Sequence, residues 1–188
     1  MRIISGSLKG KKIILPKDKL TRPLKDLTKE SIFNIIRHSK LLNIDLEGAN
    51  ILDLFSGVGS FGLECLSRGA TNVTFLENYK EVITILKKNI NNLKQQNSSN
   101  VINKDIFSDN TLRSFSNKFD IIFMDPPYKE KKIADLINTI IKLKLLKSEG
   151  TIIIHRHKKE EDLFTNKFNI IIKKNYGISK IIFGNFLA

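Results

Sequence analysis

The residues Asn50–Glu64, NILDLFSGVGSFGLE, decide the fold of this chain. The first six are mostly apolar and predict a short buried strand, with an acidic residue, Asp53, near its carboxyl end. Glycines follow in the pattern G-x-G-x-x-G, at Gly57, Gly59 and Gly62. A helix is expected directly after the loop, over residues 60–68. Glycine lets the backbone approach a ligand closely and the first helical turn offers unpaired N–H groups, so the stretch predicts a nucleotide-binding loop.

The glycine pattern by itself does not distinguish a dinucleotide from another nucleotide cofactor. Asp53 narrows the choice, because a carboxylate inside the strand end would repel a pyrophosphate but suits a cationic amino-acid group. The predicted cofactor contacts of this segment are Asp53, Phe55, Ser56, Gly57, Gly59 and Gly62.

Two more acidic residues follow the next two predicted strands. Glu77 ends the second strand, where a carboxylate can accept both hydroxyls of a ribose; the alternative is a carboxylate that caps the next helix. Asp105 follows the third strand and can accept from an adenine amino group, with Ile106 against the ring, although Asp is also common in turns. Ligands of open parallel sheets bind at the carboxyl ends of strands, so Glu77, Asn78, Asp105 and Ile106 are further predicted cofactor contacts.

After residue 48, strand and helix patterns alternate. Strands are predicted over residues 73–77, 101–103, 120–124, 151–155, 168–173 and 180–186, and helices over residues 80–95, 109–115 and 131–143. Residues 95–100, QQNSSN, are predicted to form an exposed loop. Alternation is typical of a parallel sheet covered by helices on both faces, and the last two strands have room only for a hairpin between them. The predicted fold class is α/β: a Rossmann-like sheet of seven strands, mostly parallel, with one antiparallel strand in a C-terminal hairpin.

The amino-terminal part carries a different pattern. Residues 2–15 predict two short strands around a glycine-containing turn, and residues 16–25 an irregular link. A helix is expected over residues 26–42, begun by Asp26 as N-cap. Its predicted apolar side includes Leu27, Phe33 and Ile36. Because this piece is too small for a core of its own, we expect an extension of residues 1–45 packed on a main domain of residues 46–188.

The chain carries 32 basic and 19 acidic side chains, a formal net charge of +13. A lysine-rich composition explains part of this excess, but eleven basic and only three acidic residues fall within residues 1–40. That clustering favours a polyanionic partner, and we predict nucleic acid. No apolar run reaches the length of a membrane span or forms a signal peptide, and the single Cys65 suits a reducing compartment. The sequence therefore predicts a cytoplasmic protein.

The second decisive motif is Asp125-Pro126-Pro127-Tyr128, at the end of the fourth predicted strand. An amino group on an aromatic ring is a poor nucleophile because its lone pair is delocalised. The Asp125 carboxylate and the Pro126 carbonyl can accept its two N–H bonds, and the two prolines stiffen the loop that holds these acceptors. Tyr128 offers a face on which an extruded base can stack. The predicted catalytic residues are Asp125, Pro126, Pro127 and Tyr128. With the glycine loop, the motif looks like an S-adenosylmethionine-dependent methyltransferase acting on an exocyclic amino group.

Other candidate residues have simpler explanations. Cys65 lies in the middle of a predicted helix and is expected to be a buried apolar residue. His155 and His157 follow a predicted strand without a Cys or carboxylate cluster nearby, so no metal site is predicted. Lys129 begins the run KEKK, which suits a solvated helix start and adjoins the catalytic loop, where it can meet a phosphate.

Several segments resemble one family over nearly the whole chain. They are the opening MRIISGSLKGKKI, the segment from Arg22-Pro23 to Asn34, the stretch DLFSGVGSFGLE, DPPY and the closing YGISKIIF. These segments are similar to bacterial guanine-N2 methyltransferases of small-subunit (16S) ribosomal RNA. The glycine loop and DPPY are shared with many amino-group methyltransferases, whereas the amino-terminal pattern is more specific. The chain departs from the family at Leu24 and Leu27, where the family has a hydroxyl residue and an arginine.

The resemblance implies a seven-stranded methyltransferase fold, S-adenosylmethionine as cofactor and no metal. It implies methyl transfer to N2 of a guanine in 16S ribosomal RNA within a small-subunit assembly particle, and we expect a monomer. By position it gives cofactor roles to Asp53, Ser56, Gly57, Gly59, Glu77 and Asp105, and the catalytic role to the DPPY residues. The basic residues expected to contact RNA are Lys9, Lys11, Lys12, Arg22, Lys25 and Lys129.

Three alternatives remain open from the sequence. DPPY also serves adenine-N6 methyltransferases on RNA or DNA, although a chain of 188 residues leaves no room for a separate target-recognition domain. A non-catalytic RNA-binding ribosome assembly factor is a second alternative, and the intact acidic residues argue against it. A nicotinamide oxidoreductase is the third, and it explains neither DPPY nor the charge.

Overall fold

The computed structural model of the protein describes residues 1–17, 24–108, 110–116 and 118–187. Within them, seven strands form one sheet in the order β3-β2-β1-β4-β5-β7-β6. The strands are β1 Asn50–Leu54, β2 Asn72–Glu77, β3 Ser99–Asn103, β4 Phe119–Met124, β5 Leu146–His157, β6 Phe168–Tyr176 and β7 Ser179–Phe186. The first five strands pair in parallel, and β7 is antiparallel to both β5 and β6. The predicted α/β fold with a C-terminal hairpin is confirmed.

Four α-helices and two short 3₁₀ turns connect the strands in the described part of the chain. The helices are α1 Asp26–His38, α2 Ser60–Ser67, α3 Lys80–Asn92 and α4 Ile133–Lys142, and the 3₁₀ turns are Gln96–Ser98 and Leu112–Ser114. Several bounds differ from the predictions. The helix predicted over residues 109–115 is, among the described residues, only the 3₁₀ turn Leu112–Ser114. The stretch 95–100 is not a simple loop, since it holds a 3₁₀ turn and the start of β3. Strand β5 is also longer than the predicted 151–155: it has twelve residues, pairs with β4 up to Ile154 and with β7 from Ile152 to His157.

Helix α1 differs most from its sequence prediction. It ends at His38 rather than near residue 42, and Lys25, not Asp26, occupies the N-cap position. Leu27, assigned to the apolar side, is 79% exposed. The buried side is instead formed by Thr28, Lys29, Ile32, Phe33 and Ile36. The prediction that Leu27 lies on the buried side was wrong. A lysine, Lys29, lies on that side instead, and a pattern of apolar residues does not predict a buried lysine.

Both faces of the sheet are buried. On one face, Phe61 of α2 stacks on Phe123 of β4 at a ring distance of 3.9 Å and on Phe33 of α1 at 5.2 Å. On the other face, α4 covers β4 and β5 with a stripe of apolar residues three and four positions apart, Ile133, Leu136, Ile137 and Ile140. The inner parallel strands β1, β2 and β4 are therefore buried on both sides, as their near-continuous apolar runs predict, whereas the edge strand β3 is only partly buried.

The amino-terminal extension is fastened to the main domain by buried polar groups. Its predicted hairpin contains one antiparallel bridge, Arg2 to Lys12, rather than two full strands. The carboxylate of Glu64, on α2, accepts the N–H groups of Ile4 and Ser5 at 2.8 and 2.9 Å. Asn89, on α3, bonds both the N–H and the carbonyl of Ile14. The proposed division at residue 45 stays a prediction, but the extension shares one apolar core with α2 and α3.

Candidate active site

A cavity of about 830 Å³ opens at the carboxyl ends of β1, β2 and β4. The sheet order places β1 between β2 and β4, so the chain leaves β1 toward one side and returns on the other. The loops that follow these strands separate at that point and leave a crevice, which is where open parallel sheets bind ligands. Most of the sequence-predicted cofactor residues and the whole DPPY segment line this cavity. The fold therefore brings the two motifs, 72 positions apart between Asp53 and Asp125, to one site.

The three glycines of the loop have different roles. Gly57 has a positive φ of 54° and lines the cavity. Gly59 and Gly62 do not line it. A Cβ on Gly62 would lie 2.4 Å from the ring of Phe75, and one on Gly59 would lie 2.5 Å from the side chain of Leu86. These two glycines allow close packing of α2 and the loop on β2 and α3, so their contribution to a ligand site is indirect.

Asp53 is almost fully buried, at 1% exposure, and still lines the cavity. The N–H of Gly62 donates to its Oδ2 at 3.0 Å. Burial raises the pKa of the Asp53 carboxyl well above its usual range, the Gly62 bond opposes this, and the negative charges of Asp125 and Glu77 add to the rise. A cationic ligand group beside Asp53 would stabilise the carboxylate, so the site is suited to bind positive charge.

Glu77 holds the loop and faces the cavity at the same time. Its Oε2 accepts the N–H of Gly57 at 2.8 Å, and its Oε1 accepts the N–H groups of Asn78 and Tyr79 at 2.9 and 3.0 Å. The capping role considered from the sequence is therefore present, because Tyr79 is the N-cap position of α3. Both Glu77 and Asn78 line the cavity, where the remaining lone pairs of the carboxylate can accept ligand hydroxyls.

The third strand end supplies an apolar wall with one acidic residue. Asp105 accepts the N–H of Phe107 at 3.0 Å, an Asx turn that orients its carboxylate. Ile106 is buried against the cavity, as predicted from the sequence. Phe55 and Phe107 face one another at 6.1 Å on this side, and Phe55 holds a left-handed φ of 57°, which non-glycine residues rarely adopt. Phe55, Ile106 and Phe107 thus give this side of the cavity an apolar wall against which a planar ring can pack.

Two buried hydroxyl groups without a hydrogen-bond partner lie at the cavity. Among the described residues, the Oγ atoms of Ser56, Ser60 and Ser99 have no partner, and Ser56 and Ser60 line the cavity. A buried hydroxyl without a partner costs free energy, so a polar ligand group that bonds Ser56 and Ser60 would be favoured there. They lie in the glycine loop and at the first residue of α2, next to Asp53, so the donor set there suits a polar amino-acid group.

The DPPY segment forms the opposite wall. Asp125, Pro126, Pro127 and Tyr128 all line the cavity. The Asp125 Oδ1 lies 2.7 Å from Nδ1 of His155, and Nε2 of that ring lies 2.8 Å from the Ser179 Oγ. The sequence analysis treated His155 only as an unsupported metal ligand and missed this pairing. The signal available was its position at the end of the strand that pairs with β4, which became informative once the strand order was known.

A buried arginine fixes the loop after DPPY. Arg156 is fully buried and pairs with Asp162 through Nε and Nη2, at 3.1 and 3.0 Å. Its guanidinium also donates to the carbonyl of Glu130 at 2.9 Å and to that of Pro127 at 3.4 Å. Arg156 thus ties the loop after DPPY to β5, in addition to the stiffness that the two prolines give that loop. This role of Arg156 was not predicted from the sequence.

Of the predicted RNA contacts, the structure brings only Lys25 to the cavity wall, with Leu24 and Thr28 beside it. Lys9, Lys11, Lys12 and Lys129 are exposed and do not line it, and Arg22 lies outside the described residues. Lys104, which the sequence analysis did not select, does line it. No group of His, Cys, Asp and Glu side chains suited to a metal ion is present among the described residues. Nor does any helix of the described ranges have the length and apolarity to cross a membrane.

The comparisons with known proteins agree with this geometry. The family model described as "Conserved hypothetical protein 95" matches residues 1–185. The chain is 34% identical to the ribosomal RNA small subunit methyltransferase D of Buchnera aphidicola subsp. Acyrthosiphon pisum, covering 95% of this chain and 85% of that one. It is 32% identical to the protein of the same name from Haemophilus influenzae, covering 95% of this chain and 90% of the other.

Solved structures show the same architecture. The structure of yhhF from Escherichia coli, described as a methyltransferase, superposes with a TM-score of 0.84 at 27% identity, covering 100% of this chain and 98% of that one. The methylase HI0767 of Haemophilus influenzae gives a TM-score of 0.77 at 30% identity, with the same coverage. The protein described here belongs to the family of the "Conserved hypothetical protein 95" model, whose members include the ribosomal RNA small subunit methyltransferase D proteins.

Proposed function

We propose that this protein transfers a methyl group from S-adenosylmethionine to the exocyclic N2 amino group of a guanine in 16S ribosomal RNA. The observation that carries the proposal is the position of Asp125 on the wall of the same cavity that the glycine loop and Asp53 line. A base held at Asp125 would face a ligand held by the loop. The family relatives named as small-subunit ribosomal RNA methyltransferases support RNA as the substrate.

The cavity offers a different surface to each part of the cofactor. The amino-acid end would lie at Asp53, Ser56 and Ser60, where the carboxyl and the unpartnered hydroxyls are. Glu77 would accept the ribose hydroxyls, and Asp105 with Ile106 would hold the adenine. When bound, S-adenosylmethionine supplies a methyl group that is already activated on a positively charged sulfur. The protein's part is then to bring the amino nitrogen of the base to that methyl group in the correct orientation.

The Asp125 wall would hold the base. The Asp125 carboxylate and the carbonyl of Pro126 accept the two N–H bonds of the amino group, which draws electron density onto its nitrogen and aligns its lone pair. Tyr128 stacks on the base after it leaves its helix or loop. Lys25, on the rim of the same cavity, contacts an adjacent phosphate. The lysines Lys9, Lys11, Lys12 and Lys129 would add affinity for RNA outside the cavity.

Methyl transfer from labelled S-adenosylmethionine to undermodified small ribosomal subunits, followed by nucleoside analysis, tests this proposal. N2-methylguanosine is the expected product. If the product is N6-methyladenosine, the substrate is adenine rather than guanine and the proposed site is unchanged. If the cofactor binds but no methyl group is transferred, the result supports an assembly factor. Both naked 16S RNA and assembly particles should be assayed, because we propose a particle in the cytoplasm as the natural substrate and a monomer as the acting form.

The matched control is a pair of single-carboxylate variants. Asp125→Ala should abolish transfer and leave cofactor affinity within about twofold, since Asp125 would contact the base. Asp135→Ala removes an exposed carboxylate from α4 and should change neither quantity. Equal loss of cofactor binding and transfer in Asp125→Ala would remove the acceptor role from that residue.

A further inference from the structure

His155 links three strands at the acceptor end of the cavity. It lies on β5, is 7% exposed, and contacts Asp125 after β4 through one ring nitrogen and Ser179 of β7 through the other. All three side chains line the cavity. Ser179 is the register partner of His157, two residues along β5, so the serine and the imidazole meet diagonally on one face of the sheet. The contact is thus built into the strand pairing.

The chemistry of the three groups gives the contacts a direction. An ionised carboxylate only accepts hydrogen bonds, so Nδ1 of His155 carries the proton that is shared with Asp125. In the neutral ring, Nε2 is then an acceptor, and the hydroxyl of Ser179 donates a hydrogen bond to it. The two bonds hold the imidazole at both nitrogens, and the bond to Oδ1 fixes the orientation of the Asp125 carboxylate.

We propose that His155 is a positioning residue that holds the Asp125 carboxylate by Oδ1, so that Oδ2 is directed at the amino group of the target base. The carboxylate sets the ring tautomer, and the bond from the Ser179 hydroxyl to Nε2 holds the ring in place. The inference rests on the proposed function, since it concerns the carboxylate that would bind the base. A bond from imidazole to a carboxylate is charge-assisted and stronger than a neutral one, and misplacement of a reacting group by about 1 Å can cost about 10²-fold in rate.

The test uses three substitutions that differ in which ring nitrogen they replace. The amide nitrogen of Asn in His155→Asn reaches the place of Nδ1, that of Gln in His155→Gln reaches the place of Nε2, and His155→Leu replaces neither. We expect His155→Leu and His155→Gln to lower kcat by about 10²-fold with KM for RNA and cofactor affinity within twofold. His155→Asn should recover at least tenfold of that loss. Equal activity of the three variants, or a loss confined to cofactor affinity, would overturn the positioning role.

A second readout does not depend on turnover. The chain has three histidines, so the ¹⁵N signals of its imidazoles can be assigned with single variants. The free protein should show the Nδ1–H tautomer for His155, and Asp125→Ala should remove that preference. The Nε2–H tautomer in the unsubstituted protein would overturn the inference even if methyl transfer is active. If the unsubstituted protein transfers no methyl group but keeps this tautomer, the proposed function has failed and the contact has not.

A different observation carries a second inference. A concave surface of about 790 Å³ lies between α1 and β6, and we name it the α1–β6 groove. The cavity is lined by Thr28 of α1 and by Leu24 and Lys25 just before that helix. The groove is lined by α1 residues that include Ser31, Ile35 and His38. Thr28, Ser31, Ile35 and His38 are spaced three, four and three apart, so they form one stripe along the helix. On the other side, Ile178 and Ser179 line the cavity while Tyr176 lines the groove. The groove therefore continues from the active-site cavity.

The chemistry of the groove suits a single strand of RNA. Among its described lining residues there is no carboxylate, whereas Lys173, Lys174 and His38 can be cationic. Tyr176 is 36% exposed and offers a ring face to a base. The lysines of the amino-terminal extension are less well placed, because the turn before Lys9 packs on Ser67, at the end of α2 opposite the one that begins at the cavity. We infer that the α1–β6 groove holds the RNA strand that flanks the target nucleotide.

Paired lysine substitutions test the groove. Lys173→Ala with Lys174→Ala should weaken binding to a single-stranded RNA carrying the target by about tenfold and lower the salt dependence of affinity by about two phosphate contacts. The matched control, Lys87→Ala with Lys88→Ala, removes two adjacent exposed lysines from α3 and should leave affinity within twofold. The kcat at saturating RNA should be unchanged in both, which separates this inference from the proposed reaction. Equal loss in the two double variants would indicate a general charge effect, and no loss in the groove variant would assign the groove to another partner; either overturns the inference.

Discussion

The two walls of the active site are built in different ways. On the glycine-loop wall, the contacts of the two predicted carboxylates stay within one strand–loop–helix–strand unit: Asp53 to Gly62 spans nine positions and Glu77 to Gly57 spans 20. On the Asp125 wall, the contacts of the aspartate and of the histidine join separate units: Asp125 to His155 spans 30 positions and His155 to Ser179 spans 24. Local contacts leave a readable motif, whereas long-range contacts depend on strand order. The comparison teaches that a motif search finds the first wall and only the exposed edge of the second.

The largest expected effect separates the two walls by function. Asp125→Asn keeps the size of the side chain but replaces one acceptor oxygen by an NH₂ donor, so the side chain no longer has one oxygen for His155 and another for the amino group of the base. We expect kcat to fall by about 10³-fold with cofactor affinity unchanged. Asp53→Asn, on the opposite wall, should mainly weaken cofactor affinity. Single-turnover transfer and equilibrium titration of both variants measure the difference, and the comparison fails if the two variants lose the same quantity.

The second effect concerns the support behind the glycine-loop wall. Glu64 is fully buried and accepts from Ile4, Ser5 and the Arg68 Nε, and it lies 3.6 Å from the buried Lys29 ammonium. Burial lowers the pKa of Lys29, and Glu64 and Asp26 oppose this lowering. Glu64→Ala removes the buried carboxylate beside the lysine, which then keeps only the Arg2 carbonyl and Asp26. It also leaves two N–H groups without their acceptor, so we expect the free energy of unfolding to fall by about 3 to 5 kcal/mol. Urea denaturation measures it.

Glu81→Ala, on the exposed side of α3, is the control for that measurement and should change the free energy of unfolding by less than about 0.5 kcal/mol. Only a small loss in Glu64→Ala would show that the amino-terminal extension does not depend on α2. A large loss would instead make the extension part of the folding unit that carries the glycine loop.

The difference between the walls also explains what the sequence could predict. The strand and helix order follow from hydrophobic periodicity, and Asp53, Glu77 and Asp105 were predicted as cofactor contacts because each lies at or next to the carboxyl end of a predicted strand. Gly59 and Gly62 were predicted to contact the cofactor because the sequence shows only a pattern of glycines. It does not show that Phe75 and Leu86 pack where a Cβ on these two residues would lie. Leu27 was assigned to the core because hydrophobic periodicity counts only apolar residues. It therefore does not show that Lys29, paired with Glu64, lies on the buried side of the helix. His155 has no local signal, since its partners lie 24 and 30 positions away. Arg156 has one near partner, Asp162, but the carbonyls it holds lie 26 and 29 positions away.

A smaller effect tests whether Tyr128 belongs to the Asp125 wall as a stacking surface. Its ring contacts His157 edge-on at 5.2 Å, and the residue lines the cavity. Tyr128→Phe keeps the aromatic face and should retain activity within about threefold. Tyr128→Leu removes it and should raise KM for RNA by about tenfold, since stacking of a base on an aromatic ring contributes about 1 to 3 kcal/mol. Steady-state kinetics on the same RNA distinguishes them, and equal behaviour of the two variants would remove the stacking role.

The smallest effect, a fraction of a proton, tests the electrostatics of the glycine-loop wall. The pKa of Asp53 is raised in the folded protein by burial, so the stability that its protonated form contributes is present at low pH and is lost as pH rises through the raised pKa. A cationic ligand reverses this preference, because it favours the carboxylate. Binding of S-adenosylmethionine should therefore release protons at pH values between the usual carboxyl range and the raised pKa, and affinity should increase with pH across that window.

Calorimetric titrations in two buffers of different ionisation enthalpy measure the release. Asp53→Asn should abolish it, stabilise the free protein at neutral pH, and keep the Gly62 N–H bonded through the amide oxygen. Identical heats in both buffers for the unsubstituted protein would show that Asp53 is already ionised before the ligand arrives, and the two walls would then differ in connectivity but not in charge.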